Sequence, residues 1–360
     1  MWCARALSSA VAGSEVIDEP GRLLRMHFLA VLVSEPLRMF VEGVPVMAVD
    51  PDATASHLLF RRDKVAPQDQ FNFILKLIVA LILGAAAVLL ILFTGWPGQT
   101  VGIILLAAVY VHMVELQHQC LHHSAFRSAR PHRPVGFLLG LPMLVSYSHY
   151  RVLHLQHHRF LGTAQDTEFF GFDTRQPLTW GVLFRESFNY GRLLSPLATI
   201  GRCWAGRWEY TAGQISRRRR ADVINEYRAL AVPVVAALAV TIMGHGELVL
   251  KLWLLPLVIA VPMHFWLELP EHILCDNDST DVLRNTRTIT GSWLSRWFTN
   301  GNNLHVEHHA AMMVPINRLP ERHAVARELA LHVERSYPAF FLAVGREVRR
   351  NALKKRHERS

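Results

Sequence analysis

The chain has 360 residues, of which 51% are hydrophobic, and a formal net charge of +9. Such a charge would suit a nucleic-acid ligand, but the basic residues flank apolar runs and accompany no nucleic-acid motif, so anionic lipid headgroups explain it better. The four cysteines form no C-x-x-C pair, which argues against a disulfide framework, a thiolate zinc site and an iron–sulfur cluster.

The N-terminal part precedes the first long apolar run. Residues 1–24 lack the apolar core of a signal peptide, and residues 22–47 have the pattern of an amphipathic segment that lies on a membrane. We therefore expect residues 1–65 to form a cytoplasmic or interfacial segment that comes before the membrane domain.

Four apolar runs follow, at residues 77–93, 101–117, 229–243 and 252–267. A bilayer core needs about 17–25 helical residues, so the runs predict four transmembrane helices in two hairpins, with the third run marginal in length. The apolar stretch 137–145 is too short to span and is expected to be interfacial or re-entrant. The sequence thus predicts an all-α, multi-pass integral membrane protein.

The distribution of positive charge predicts the orientation. The connections 97–100 and 244–247 contain no Lys or Arg, whereas basic residues cluster on the other side of the runs and in the tail, including residues 217–220. The positive-inside rule then places both termini on the cytoplasmic side. We expect a membrane domain over residues 66–322, in which residues 169–208 contribute to a cytoplasmic helical cap, followed by a basic cytoplasmic tail at 323–360.

Histidines concentrate in three short motifs, although the whole chain has only 20. The motifs are HQCLHH, HLQHH and HVEHH, which contain His118, His122 and His123, then His154, His157 and His158, then His305, His308 and His309. Neutral imidazole suits iron, copper, zinc and nickel, and this number of donors exceeds what one ion can take. The motifs therefore predict a site with two transition-metal ions.

Helical spacing brings these donors onto common faces, because residues i and i+4 lie on one side of a helix. His123 lies about 100° around the helix from His122 and is expected only to hydrogen-bond a neighbour. A helix from 101 to 122 is about 33 Å long and carries the first motif to the cytoplasmic interface. The last apolar run delivers His272 to the same level, which makes it a candidate ligand, whereas His264 lies deeper and is expected to be a hydrogen-bonded polar group.

Longer stretches around the motifs resemble a known family. HQCLHHSAF, HLQHHRFLGTAQDTE and NTRTITGSWLSRWFTNGNNLHVEHH, followed by VPINRLP, are similar to the three histidine boxes of the membrane-bound fatty acid desaturases and their hydroxylase relatives, over about residues 73–320. The resemblance implies a di-iron centre held by His118, His122, His154, His157, His158, His305, His308 and His309, with His272 in the PEH sequence as a further ligand. Gln119, where an acidic residue is common, and the stretch AAMMVP after the third box depart from the family pattern.

The resemblance also implies O2 as co-substrate and a fatty acyl or lipid-like substrate. An unactivated C–H bond has no useful acidity, so its cleavage needs a metal-derived oxidant. The chain has no haem-binding H-P-G-G module and no flavin or ferredoxin motif, so we expect an external electron donor of the ferredoxin or cytochrome b5 type with its reductase. Side chains expected to hydrogen-bond the ligand imidazoles are His123, Asp166, Glu168, Glu271, Asn302, Asn303 and Glu307.

Three functions are compatible with these features. The first is desaturation of a fatty acyl chain, and the second is hydroxylation or alkene-forming decarboxylation of a lipid-like substrate at the same site. The third is metal transport by a histidine-rich protein. Transporters place their ligands near the bilayer midplane, whereas these motifs are expected to gather at one interface, which disfavours the third.

Overall fold

A computed structural model describes residues 57–167, 172, 174 and 176–357. The amphipathic segment predicted at residues 22–47 lies outside these residues. The first elements form a helical hairpin made of α1 (Pro67–Phe93) and α2 (Trp96–Leu121). A Cβ added at Gly102 would lie 2.7 Å from the carbonyl oxygen of Ala87, so the two helices approach as closely as they do because this position has no side chain.

Short helices then lead to the second histidine motif. The structure has α3 (His132–Gly140), a 3-10 turn (Leu141–Met143), α4 (Tyr147–Phe160), α5 (Trp180–Ser187) and α6 (Gly191–Trp204). The apolar stretch predicted to be interfacial or re-entrant forms the second half of α3 and the 3-10 turn. The turn ends at Leu144, whose φ of +58° reverses the chain before α4.

The next stretch contains a long helix with a break. It consists of α7 (Arg217–Val240), a π-helical turn (Thr241–His245), α8 (Gly246–Val249), a second π-helical turn (Leu250–Leu254) and α9 (Leu255–Glu268). Gly244 has a φ of +90°, which is not helical, so two helices meet at this residue.

Three helical stretches in the described part of the chain are long and apolar enough to cross a membrane: α1, α2 and the 52-residue stretch Arg217–Glu268. A straight helix of that length would extend about 78 Å, more than twice the thickness of a bilayer core. The predicted spans 229–243 and 252–267 fall on opposite sides of Gly244. The number of four spans and their cytoplasmic orientation remain predictions.

The C-terminal part combines short helices with two strands. In order, it contains α10 (Val282–Asn285), β1 (Arg287–Ile289), α11 (Trp293–Phe298), α12 (His305–Ala310), a 3-10 helix (Ile316–Arg322), α13 (His323–Leu329), β2 (His332–Glu334) and α14 (Tyr337–His357). The strands pair in parallel with Thr288 opposite Val333. The protein is therefore mostly helical rather than all-α. The three residues of β1 are all buried, and a segment that is buried on both faces suits a strand.

The segment predicted as a basic tail is part of the folded protein. Phe340 and Val344 of α14 are buried in one apolar cluster with Phe265 and Leu269 of the α9 region. The basic residues of α14 are interspersed with the apolar residues that form this buried face. The net positive charge of the segment therefore led to the prediction of a tail. The division of the chain at residue 323 remains a prediction.

Candidate metal centre

Nine imidazoles from four parts of the chain converge in two adjacent sets. Within each set, one ring nitrogen of every residue lies within 4.8 Å of those of the others. Set one consists of His118, His122, His154, His158 and His308, and set two consists of His157, His272, His305 and His309. These are the nine histidines that the sequence and the family resemblance single out as ligands.

The rings of set one meet through their Nε2 atoms. Nε2 of His154 lies 2.7 Å from Nε2 of His118, 2.9 Å from that of His122 and 3.0 Å from that of His158. Nε2 of His158 is also 3.2 Å from Nε2 of His308. Five nitrogens of one chemical type thus surround a single point.

Set two has the same construction. Nε2 of His309 lies 3.2 Å from Nε2 of His157 and 3.1 Å from that of His305. Nε2 of His305 is in turn 3.3 Å from Nε2 of His272. One carboxylate borders this set at a single ring, since Oε2 of Glu271 lies 3.3 Å from Nε2 of His305.

Helix geometry explains why the motifs divide between the sets. On α4, His154 and His158 are separated by four residues and point into set one, whereas His157 points into set two. On α12, His305 and His309 belong to set two and His308 belongs to set one. His118 lies in the last turn of α2, and His122 follows that helix as its C-terminal cap.

Several rings of set two are oriented through their other nitrogen. Oδ1 of Asp166 lies 2.7 Å from Nδ1 of His157, and Oδ1 of Asn302 lies 3.0 Å from Nδ1 of His305. Nδ1 of His272 lies 2.8 Å from the carbonyl oxygen of Asn285. Such partners fix the tautomer that leaves Nε2 free for a metal ion.

The remaining residues expected to support the ligands have other positions. The amide of Asn302 donates to Glu271, but Asn303 bonds to Thr299 and to the carbonyl oxygen of Ile289. Glu307 contacts Thr288 and His323, so it connects α12 to β1 and α13 rather than orienting a ligand ring.

Two further expectations concern residues outside the two sets. His123 has a φ of +55° and stacks on His132 with ring centroids 4.6 Å apart, whereas a hydrogen bond to a neighbour was expected of it. Glu168 lies outside the described residues.

Burial keeps the ligand rings neutral. It lowers the pKa of His272 to about 3, and it lowers the pKa of His154, His305 and His308 well below the usual range. Neighbouring imidazoles act in the same direction because each would repel a second positive charge. Neutral imidazole is the form that binds metal ions.

The residues present fit a pair of metal ions. Each neutral imidazole has only one N–H, so five nitrogens around one point cannot all be satisfied by hydrogen bonds to one another. On the outer side, Nδ1 of His118, His122, His308 and His309 has no hydrogen-bond partner among the described residues. A cation at the centre of each set supplies the missing interaction for Nε2.

A buried network holds the helix of the second motif in place. The carboxylate of Glu226 on α7 accepts hydrogen bonds from Ser146 Oγ at 2.9 Å, from the backbone N–H of Ser148 at 2.7 Å and from Arg133 Nε at 2.8 Å. It therefore places a negative charge at the N-terminus of α4. Sequence reasoning missed Glu226 because one acidic residue in an amphipathic helix carries no sign of a partner 78 residues away.

The histidine sets could hold metal ions, and the long apolar helices are typical of a membrane protein. The sequence profile of the fatty acid desaturase family matches residues 94–341, which is more than half of the chain and includes all nine histidines. The chain therefore belongs to the fatty acid desaturase family and is an oxidoreductase of the desaturase and hydroxylase type. No curated protein shows significant sequence similarity to it.

Proposed function

We propose that the protein is an O2-dependent di-iron desaturase that introduces a double bond into a fatty acyl chain at the cytoplasmic face of a membrane. The observation that carries this proposal is the convergence of nine Nε2 atoms in two sets inside a desaturase-family fold. Iron accepts imidazole ligands, and the absence of thiolates from both sets disfavours ions that prefer sulfur.

The chemistry requires an oxidant that no side chain can supply. With O2 and two electrons, a di-iron pair provides the power to remove hydrogen atoms from unactivated carbon. The overall reaction removes two hydrogen atoms from adjacent carbons, and these, with two protons and two external electrons, convert O2 to two molecules of water. This balance is why an electron donor of the ferredoxin or cytochrome b5 type is part of the proposal.

The chain's own residues hold and orient the imidazole rings, and they exclude water from the site. Asp166, Asn302 and the carbonyl of Asn285 keep three rings of set two in the binding tautomer. Eight of the nine ligand histidines are buried, and His158 is half-buried, so little water reaches the reacting atoms. Neutral rings also leave a metal pair with its full positive charge.

A groove on the apolar surface supports entry of a lipid chain. It has a volume of about 630 Å³ and lies between α1 and α11, with the lining residues Leu75, Lys76, Val79, Leu83, Trp293, Leu294 and Trp297, together with Asn72 and Asn317. Lys76 donates to Asn300 at 2.8 Å, and Asn300 donates to Gln119, the residue after His118. The groove is therefore connected to the helix of the first motif.

Product analysis tests the proposal. Lipids from a host that expresses the chain with an electron donor should contain an acyl chain lighter by two hydrogen atoms at unchanged carbon number. His308→Ala removes a ligand of set one and should abolish this product, whereas His57→Ala, at an exposed position, should not change the yield. Label from ¹⁸O2 in the organic product would indicate hydroxylation, and a product shorter by one carbon with a terminal alkene would indicate decarboxylation; either result overturns desaturation.

A further inference from the structure

A third group of possible metal ligands lies outside the two histidine sets. Glu115 of α2 and His264 and Glu268 of α9 each offer one ligand atom, and these atoms lie within 4.8 Å of one another. Nδ1 of His264 is 3.2 Å from Oε2 of Glu268. The latter two are four residues apart and share one helix face, and Glu115 completes the group from the neighbouring helix.

The group lies close to the histidine sets but has different donors. Glu115 precedes His118 by three residues and Glu268 precedes His272 by four, so the group is about one helical turn away from a ligand of each set. His264 is near enough to His118 for the two imidazoles to interact electrostatically. Two carboxylates and one imidazole form a harder donor set than imidazoles alone.

The protein balances the charges of this group only in part. Glu115 is only 3% exposed, and its Oε2 atom accepts no hydrogen bond from the described residues. Asn302 bonds to the same carboxylate, but the charged group that acts on Glu115 is Glu268, which repels it. Arg192 attracts Glu268 and offsets part of the negative charge of that carboxylate. Adjacent buried carboxylates are costly unless a cation or protons neutralise them.

We propose that Glu115, His264 and Glu268 bind a divalent transition-metal ion in addition to the two ions of the histidine centre. The ion belongs to the class that takes mixed nitrogen and oxygen ligands, such as Zn²⁺, Mn²⁺ or Fe²⁺. It neutralises the two carboxylates and links α2 to α9, the helices that lead to His118 and His272. Ligands of set one and set two are thereby fixed relative to each other, whichever reaction the centre catalyses.

Metal counting tests this inference on the full-length protein in detergent. The protein is stripped with a chelator, reloaded with excess Zn²⁺, desalted and analysed for zinc per chain by mass spectrometry. We expect about three zinc ions in the unchanged protein and about two in both Glu115→Gln and His264→Gln. A matched control is His112→Gln, which removes another buried histidine of α2 that bonds to the carbonyl oxygen of Phe298, and it should retain about three.

Two measurements separate loss of this site from loss of the fold. The double variant His157→Ala and Glu115→Gln should hold about one zinc ion fewer than His157→Ala alone, because the losses add only if the sites are separate. X-ray absorption of the zinc-loaded protein should show oxygen ligands as well as imidazole, and fewer oxygen ligands in Glu115→Gln than in the unchanged protein, because Glu271 beside set two is present in both. About two zinc ions in the unchanged protein, or an imidazole-only spectrum, would overturn the third site and indicate that protons neutralise the carboxylates. Neither result bears on the desaturase product, so the two proposals fail separately.

Discussion

Asp166 and His157 form a charge-assisted pair on the outer side of the metal centre, with Oδ1 of the carboxylate 2.7 Å from Nδ1 of the ring. The other oxygen of Asp166 accepts the backbone N–H of Gly162 at 3.0 Å, so the carboxylate is held from two sides. The opposite nitrogen of the ring faces His309. This pair makes His157 a stronger metal ligand than an unsupported imidazole.

Replacement of Asp166 should therefore weaken metal binding at set two. We expect Asp166→Ala to reduce the affinity of this set about 10- to 100-fold, and Asp166→Asn to cause a smaller loss because its amide oxygen still accepts a hydrogen bond. Metal occupancy at increasing concentrations of a competing chelator measures both effects. Equal retention of metal by Asp166→Ala and the unchanged protein would mean that this hydrogen bond does not support the ligand.

Glu226 should be important for stability although it does not touch the metal centre. It is 5% exposed and satisfies the N-terminus of α4 as well as Arg133. We expect Glu226→Ala to destabilise the protein by about 2–6 kcal/mol, because it leaves the buried donors of Ser146 and Ser148 unpaired at about 1–3 kcal/mol each. Thermal unfolding in detergent measures the loss. Asp222→Ala is the comparison, since it removes only the more exposed partner of Arg133, and a loss as large as that of Glu226→Ala would contradict the role of burial.

The metal-free protein should become less stable as the pH is lowered. Seven ligand histidines outside the apolar helices have a lowered pKa in the folded state, mainly because of burial: His122, His154, His158, His272, His305, His308 and His309. Below about pH 6.5 the unfolded chain binds protons that the folded chain excludes. The free energy of unfolding therefore decreases as the pH is lowered, by up to about 1.4 kcal/mol per pH unit for each such residue.

Unfolding of the chelator-treated protein between pH 7.5 and pH 5 measures this dependence. A flat profile would show that the rings accept protons without loss of structure. The metal-loaded protein should be more stable than the metal-free protein at every pH in this range, because bound ions stabilise only the folded state. Its stability should nevertheless decline with acidity as protons compete with metal for the ligands.

The break at Gly244 leads to a prediction of topology. If the two halves of the stretch Arg217–Glu268 each cross the bilayer, Gly246 lies on the same side as Gly98, and Arg219 lies on the opposite side with Thr174. Single cysteine substitutions at these positions, labelled with a membrane-impermeant reagent in intact and opened cells, test this arrangement. Labelling of Gly98 and Arg219 positions from the same side would rule out four spans.

Sequence reasoning identified the candidate ligands because their spacing is a local property. His154, His157 and His158 lie within about 1.1 helical turns, so their presence together depends only on the period of the helix. The helical period separates His157 from His154 and His158, but the other members that each of them meets depend on how α4 packs against α2 and α12. That packing is tertiary and left no trace in the motif.

The groups that orient the rings were only partly predictable. Asp166 and Asn302 are close in sequence to the histidines they contact, and both were expected. The partner of His272 is the main-chain carbonyl of Asn285. Every residue has such a carbonyl, so the residue type at position 285 does not indicate this contact. Glu307 lies between two ligands in sequence yet faces away from them, because alternate positions of a helix point in different directions.

The division of α4 and α12 between the sets has a consequence for assembly. Each of these helices carries candidate ligands of both sets, so neither set is built on helices of its own. When the first ion binds, it fixes the rotation of both helices about their axes, and the ligands for the second ion are turned into position at the same time. The ligands for the second ion are then already ordered, so the second ion binds more tightly than the first. Protein with a single ion should therefore be scarce at any intermediate concentration of metal.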